Sequence, residues 1–302
     1  MALWVVVTLV FFLARLGGDP AALLAPVDAT PAQIDQVRRD LGLDQPVFIQ
    51  YADYLRGLVT GDLGMSTSFR TDVLEIVGPA MVNTAELALV GFVIALVGGL
   101  VLGTLAGTRV NSRFDKGVRL VAVAGQSVPA FFLGMLLVLL FTVNLGLLPA
   151  FGSGDLKSII LPAVALAAFP LSAITRLTRS AVLEVAGRDQ TMFERSKGVS
   201  PVVLLAHIVR NASLPVVTLS GVQLGAMFSS TIVVESLFAW PGVGQLAIQA
   251  INSRDFALIQ GIVIVNTLVY VGLLFLVDLS YGWLDPRVRQ SNSRNSSSKV
   301  TA

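Results

Sequence analysis

The 302-residue sequence contains no cysteine and a single histidine, His207. Disulfide scaffolds, thiolate metal sites and catalysis by Cys or by several His are thereby excluded, and no metal site is expected. Charge is scarce as well: Asp, Glu, Lys and Arg make up 13% of the residues, about half the share in an average soluble domain. None of the four lysines follows a glycine, so the Gly-Lys-Ser/Thr core of a phosphate-cradling loop is missing. A net charge of +2 is too small a basic excess to attract nucleic acid.

Apolar residues fill this gap. They account for 54% of the chain and gather in runs at 2–14, 85–106, 118–143, 159–174, 214–234 and 257–279. Runs of about 20 apolar residues match the hydrocarbon core of a bilayer. The expected fold is all-α: a polytopic membrane protein of about six transmembrane helices in a lipid bilayer. The run at 2–14 is short for a span. Small residues at 21–29 raise a signal peptide as the alternative, but no Lys or Arg precedes the apolar run.

Basic residues orient the spans. With the N-terminus inside, 14 of the 21 Lys and Arg fall in the cytoplasmic segments, and seven are spread over the external ones. Lys and Arg bias in short loops sets orientation, so both termini are expected in the cytoplasm. The ionisable Glu86, Glu235 and Asp278 lie near span ends, and this disfavours an ion relay at membrane depth.

The domain reading is a first transmembrane helix at 1–15, an external helical region at 16–81, a core transmembrane domain at 82–283 and a disordered tail at 284–302. Within the external region, Thr30-Pro31-Ala32-Gln33 predicts a capping box with proline at the first helical position, and Gly42 stops that helix. Phe48, Tyr51, Leu55 and Leu58 share one face of a second helix, which Gly61 closes. These two helices either cover the span ends or receive a partner. Inside the second span, Gly91, Ala95, Gly99, Gly103 and Gly107 recur every fourth residue and predict close helix packing. Pro129, Pro162 and Pro170 each remove a backbone donor and predict bends.

The segment 182–213 between the fourth and fifth spans is too long for a turn. Asp189 predicts the cap of a short helix over 190–197, with Arg195 and Lys197 near its negative end and Gly198 in the stop position. Ser200 and Pro201 start a second helix over 202–210, which ends at Asn211 before Leu214-Pro215. Two turns of helix are unstable alone, and Met192 and Phe193 form an apolar knob upon it. Gln223, Met227 and Thr231 make an i, i+4, i+8 stripe on the fifth span, read either as pathway-lining or as interhelical packing. Glu235 either fixes the Trp240-Pro241-Gly242 loop or acts with Trp240 at an external gate. His207 is expected to be a surface or packed residue.

At this segment the chain resembles the permease subunits of type I ABC importers, in the dipeptide and oligopeptide (DppB/OppB-like) branch. That family carries a cytoplasmic Glu-Ala-Ala-like triplet followed by glycine three residues later and by Leu-Pro further on. Gly198 and Leu214-Pro215 match, while Met192-Phe193-Glu194 stands in place of the triplet. Gly18-Asp19-Pro20, Leu41-Gly42-Leu43-Asp44, Gly61-Asp62-Leu63-Gly64, the stretch from Glu235 to Gly244 and the ending from Leu284 to Arg289 are similar to the same branch.

The resemblance implies a type I ABC importer permease fold in a bacterial plasma membrane. It also implies a basic turn ahead of the first apolar run, so the helix at 1–15 is expected to be incomplete at its N-terminal end. The implied partners are a homologous second permease (DppC/OppC-like), two ATPase subunits that hold ATP and Mg, and an external solute-binding protein; this chain binds no cofactor. The short helix, through Asp189, Met192, Phe193, Glu194, Arg195, Lys197 and Gly198, would couple to an ATPase subunit. The branch carries dipeptides, oligopeptides, nickel complexes, glutathione or haem-like ligands, and a peptide-like substrate is expected. Two other classes stay in view. An ion-coupled secondary transporter would need intramembrane ionisable residues, and an intramembrane hydrolase would need a base near Ser153 at membrane depth.

Overall fold

The computed structural model describes residues 2–16, 21, 29–40 and 42–284. Gly18-Asp19-Pro20, most of the small-residue run at 21–29 and the tail beyond Leu284 lie outside them, as does the side chain of Asp278. The elements are α1 (Ala2–Leu16), α2 (Pro31–Asp40), α3 (Val47–Thr60), α4 (Val73–Thr108), α5 (Arg113–Ser127), α6 (Ala130–Leu137) and a π-helical turn (Val138–Asn144). They continue with α7 (Ile160–Ala186), α8 (Asp189–Ser196), α9 (Pro201–Phe238), α10 (Val243–Asn252) and α11 (Phe256–Leu284). Among the described residues, β structure is limited to an isolated bridge between Met65 and Asp72. The chain forms two compact units, Met1–Thr84 with Pro241–Tyr270 and Ala85–Trp240 with Val271–Ala302.

In the first unit, Gln33 Oε1 accepts from the Thr30 N–H at 2.8 Å, and the helix ends where Gly42 turns to φ +64°. The next helix, α3, lies on α1. The Phe11 ring sits 5.0 Å from Tyr51 and 5.3 Å from Tyr54, centroid to centroid, and the Tyr51 and Thr8 hydroxyls are 2.7 Å apart. Phe48 does not join that face; it is 73% exposed. Gly61, at φ +84°, ends α3 in a left-handed cap, and the Asp62 N–H reaches back to Gly57 O at 2.8 Å.

Asp255, fully buried, ties this unit together. As the N-cap of α11 it accepts from the Leu258 N–H at 3.1 Å, which satisfies one of the donors that every helix start leaves open. Its second oxygen accepts from Ser66 Oγ at 2.5 Å and from the Ser68 N–H at 3.0 Å. Below this anchor, Val73, Val77, Val243, Leu246, Leu258 and Ile262 form the core.

The second unit is organised by the seam between α4 and α7. A Cβ added at Gly99 would lie 2.6 Å from Ile174 Cγ2, one at Gly103 2.5 Å from Thr178 Cβ, and one at Gly107 2.8 Å from Val182 Cγ1. Gly91, Gly99, Gly103 and Gly107 meet the carbonyls of Ala163, Leu171, Thr175 and Arg179 in that order, so the two helices run parallel in a fixed register. On the opposite side of α4, Leu89, Val93, Val97 and Val101 are each at least half exposed. Lipid is the natural solvent for such a stripe.

The apolar run at 118–143 is not one straight span. The α5 axis and that of α6 with the π-helical turn differ by 111°. Pro129 lacks the donor needed to continue α5 and pushes Val128 into extended backbone, φ −88°, ψ 122°. Pro162, in the first turn of α7, interrupts no bond, and Pro170 stays within the helix. Four helices, α4, α7, α9 and α11, are long and apolar enough to cross a membrane, or five spans if the bent pair counts as one. The apolar part of α1, Leu3–Leu13, is shorter. The stop expected at Asn211 is absent: α9 runs 38 residues through Pro215. One missing donor there is outweighed by Ala212 and Val216, both buried against neighbours.

An ion pair closes one end of this unit. Arg179 grips Asp115 through two bonds, Nε to Oδ1 at 2.6 Å and Nη2 to Oδ2 at 3.0 Å, and Asp115 is fully buried. The same carboxylate accepts from the Asn111 N–H, and Ser112 Oγ caps α5 by accepting from the Asp115 N–H. A two-pronged Arg–carboxylate contact fixes orientation as well as distance.

Two outcomes are expected. Gly103→Leu should lower stability by about 1–3 kcal/mol, since the seam has no room to relax, while Gly117→Ala, whose Cβ meets open space, should leave it equal or higher; thermal unfolding in detergent reads both. The second concerns Asp255. Burial pushes its carboxyl up, but bonds from Ser66, Ser68, Leu258 and Thr67 prevail and hold it below the usual range. Its contribution is therefore complete above the unfolded-state value of about 3.9 and is lost as pH falls through the lower folded-state value. Asp255→Asn should cost about 1–3 kcal/mol at neutral pH, and the gap to the parent chain should narrow only below about pH 4.

Candidate functional site

The short helix α8 stands between α7 and α9, and its eight residues could not hold a helix alone. Three tethers hold it. Thr191, buried in its middle, donates its hydroxyl to Val185 O at 2.7 Å, across the junction with α7. Glu194 accepts from His207 Nδ1 on α9 at 2.9 Å. At the far end Gly198 adopts φ +73°, and the Val199 N–H reaches back to Glu194 O at 3.2 Å. Beneath these tethers Val182, Val185, Leu204, Ile208 and Ala212 pack α7 against α9.

Two large apolar side chains stand among polar ones on the exposed side of α8. Met192 and Phe193 are each 59% exposed, and Lys197 places its Nζ 4.3 Å from the Phe193 ring centroid. Asp189 lies in the first helical turn, and Arg188 occupies the cap position without a side-chain bond. Asp189 therefore complements the helix dipole without serving as the cap. Arg195 sits in the last turn. The hydrogen bond from His207, with a lesser one from Gln190, holds the Glu194 carboxyl below its ordinary range. The contribution of Thr191 escapes sequence reading, because a mid-helix threonine has no distinctive spacing. The pairing of Glu194 with His207 links positions 13 apart, a separation that falls outside the helical repeat.

The remaining sequence-predicted residues lie elsewhere in the same unit. Gln223, Met227 and Thr231 are all buried. Met227 belongs to a hydrophobic core with Leu87, Leu166 and Phe238, and the Thr231 hydroxyl donates to Phe228 O. Glu235 and Trp240 are buried as well, and the Trp240 N–H donates to Glu235 O at 2.9 Å where Ala239 turns to φ +48° and ends α9. Among the described residues, no group of three His, Asp or Glu could hold a metal ion.

The chain is similar to known proteins in sequence and in fold. Residues 99–290 match the family described as binding-protein-dependent transport system inner membrane component, and residues 1–73 match the N-terminal family of the same components. A putative peptide transport system permease protein of Brucella abortus (strain 2308) is 40% identical over 295 residues, covering 94% of each chain. The glutathione transport system permease protein GsiC of Escherichia coli (strain K12) is 37% identical over 289 residues, covering 95% of this chain and 94% of its own. A chain in a crystal form of the MetNI methionine ABC transporter, solved in inward-facing conformations, superposes with a TM-score of 0.60 at 16% identity. That match covers 70% of this chain and 97% of the other, and it supports the fold. Sequence kinship along nearly the whole length, on a helical membrane framework of the same kind, places the chain in the family of inner membrane components of binding-protein-dependent transport systems, as a membrane permease subunit of an ABC importer.

Proposed function

We propose that the chain forms half of a translocation pathway for di- or oligopeptides or a peptide-like solute such as glutathione, and that α8 is its point of coupling to an ATPase subunit. The working assembly adds a DppC/OppC-like second permease, two ATPase subunits that bind ATP and Mg, and an external solute-binding protein. The cargo class is supported by the names of relatives that align along the whole chain. The coupling assignment is supported by one observation above all: two large apolar side chains, Met192 and Phe193, stand exposed on a helix anchored to its own chain on the other face. An apolar knob on a rigid base suits a groove in a partner protein.

In this reading Asp189 and Arg195 complement the helix dipole, Lys197 covers the Phe193 ring, and Gly198 lets the chain turn back into α9. Closure of the ATPases pushes on α8, and the tether through Thr191 to α7 passes the displacement to the seam with α4. We read Gln223, Met227 and Thr231 as packing, given their burial. Glu235 and Trp240 anchor the α9 end at the outer face. Both termini and α8 lie in the cytoplasm.

Phe193→Asp and Gly198→Val should each reduce solute uptake in cells by roughly ten-fold or more, in keeping with loss of a central interface anchor, while the amount of chain in the membrane is unchanged. Uptake at the parent rate in both variants would overturn the coupling assignment. Orientation has its own test: a tag inserted at Thr67 should be labelled from outside sealed cells, and a tag after Arg289 should stay protected. The opposite pattern reverses the topology.

A further inference from the structure

A second surface in the unit formed by Ala85–Trp240 and Val271–Ala302 combines features that the transport cycle leaves unused. A cleft of about 270 Å³ opens between α4, α5 and α7, lined by Leu102, Phe114, Gly117, Val118, Val121 and Leu171. Its lining is apolar throughout. Thr175, which borders it, donates its hydroxyl to Leu171 O at 2.7 Å, so its one proton is already committed. Solute pockets usually carry a few placed polar groups and run from about 300 to 1,000 Å³; this cleft has neither the polarity nor the size.

The segment that carries Phe114 is strongly basic. Arg109, Arg113, Lys116 and Arg119 are exposed within eleven residues. Arg109 holds its guanidinium 5.9 Å from the centroid of Phe114, which lines the cleft, and Arg113 is the next residue before that ring. The one carboxylate in the segment, Asp115, is buried and committed to Arg179, with Arg119 3.6 Å away. Among the described residues, Arg109, Arg113 and Lys116 form no ion pair.

We infer that this cleft is a binding site for an anionic phospholipid, with one acyl chain along Phe114, Val118 and Val121 and the phosphate at Arg109 and Arg113. Such a lipid supplies both parts of the complement at the right spacing, since its negative head lies at the interface and its chain points inward. Clusters of Lys and Arg beside a membrane helix attract anionic headgroups, and their own stems can lie along apolar surface while the charge stays in the interface. A helix of a second permease would cover the apolar lining but brings no phosphate to Arg109. The inference is independent of the coupling role of α8 and of the cargo.

The test uses the chain purified in mild detergent with the subunits that accompany it, equilibrated with equimolar phosphatidylglycerol and phosphatidylethanolamine, and analysed by native mass spectrometry. Phosphatidylglycerol should be retained in preference. Arg109→Gln with Arg113→Gln should lower that preference roughly ten-fold or more, at the usual strength of a headgroup contact. Gly117→Phe, which projects into open space, should displace the lipid with every charge intact. Equal retention of the two lipids, or parental retention in both variants, overturns the inference. Because the chain has no cysteine, Val121→Cys also gives a unique probe: efficient crosslinking to the second permease would show that protein fills the cleft, and the lipid site would be refuted.

Discussion

The fold of the Ala85–Trp240 unit depends on backbone meeting backbone along α4 and α7. In lipid, apolar side chains gain little by leaving their solvent for each other, so helix association has to come from close packing. Glycines at 91, 99, 103 and 107 provide it by removing the side chains that would hold the axes apart. The constant register with which they meet successive carbonyls of α7 fixes both the distance and the sliding position of the two helices. The Asp115 and Arg179 contact then fixes α5 to α7 with a directional bond that side-chain packing alone does not supply.

From this seam the rest of the unit follows. α7 is fixed along its length and leads within three residues into α8, so the position of Met192 and Phe193 is inherited from a rigid support. The Thr191 hydroxyl makes the junction short and stiff. Across the gap, α9 contributes His207 and the apolar residues Leu204 and Ile208. An exposed element of eight residues is thus held from both sides by long helices.

Much of this could be read from the residues, and the reasons differ by feature. The every-fourth-residue glycines were legible because helical period and small size are both encoded locally. The short helix at 189–196 was legible through its flanking Gly198 and the Ser200-Pro201 start. What stayed hidden depended on distant partners. Pro129 announced a bend, but its size of 111° is set by what α5 and α6 pack against. The helix end read at Asn211, ahead of Leu214-Pro215, does not occur, because burial on both sides carries α9 through Pro215. Phe48 fitted an apolar face by spacing, and the outward turn it takes reflects how Tyr51 and Tyr54 meet Phe11. Thr191 and the Glu194–His207 pair carry no local signature, and Asp255, though placed as a helix cap, gives no sign of its bonds to Ser66 and Ser68.

The bond from Ser66 to Asp255 joins residues 189 positions apart. During synthesis the loop around Ser66 leaves the ribosome long before the start of α11 exists, so through most of translation the donors that Asp255 accepts from must be satisfied by water. Closure of that part of the molecule is therefore among the last steps of biogenesis. A chain halted before Asp255 would reach the membrane with this loop still unfastened, a state that a quality-control protease could recognise.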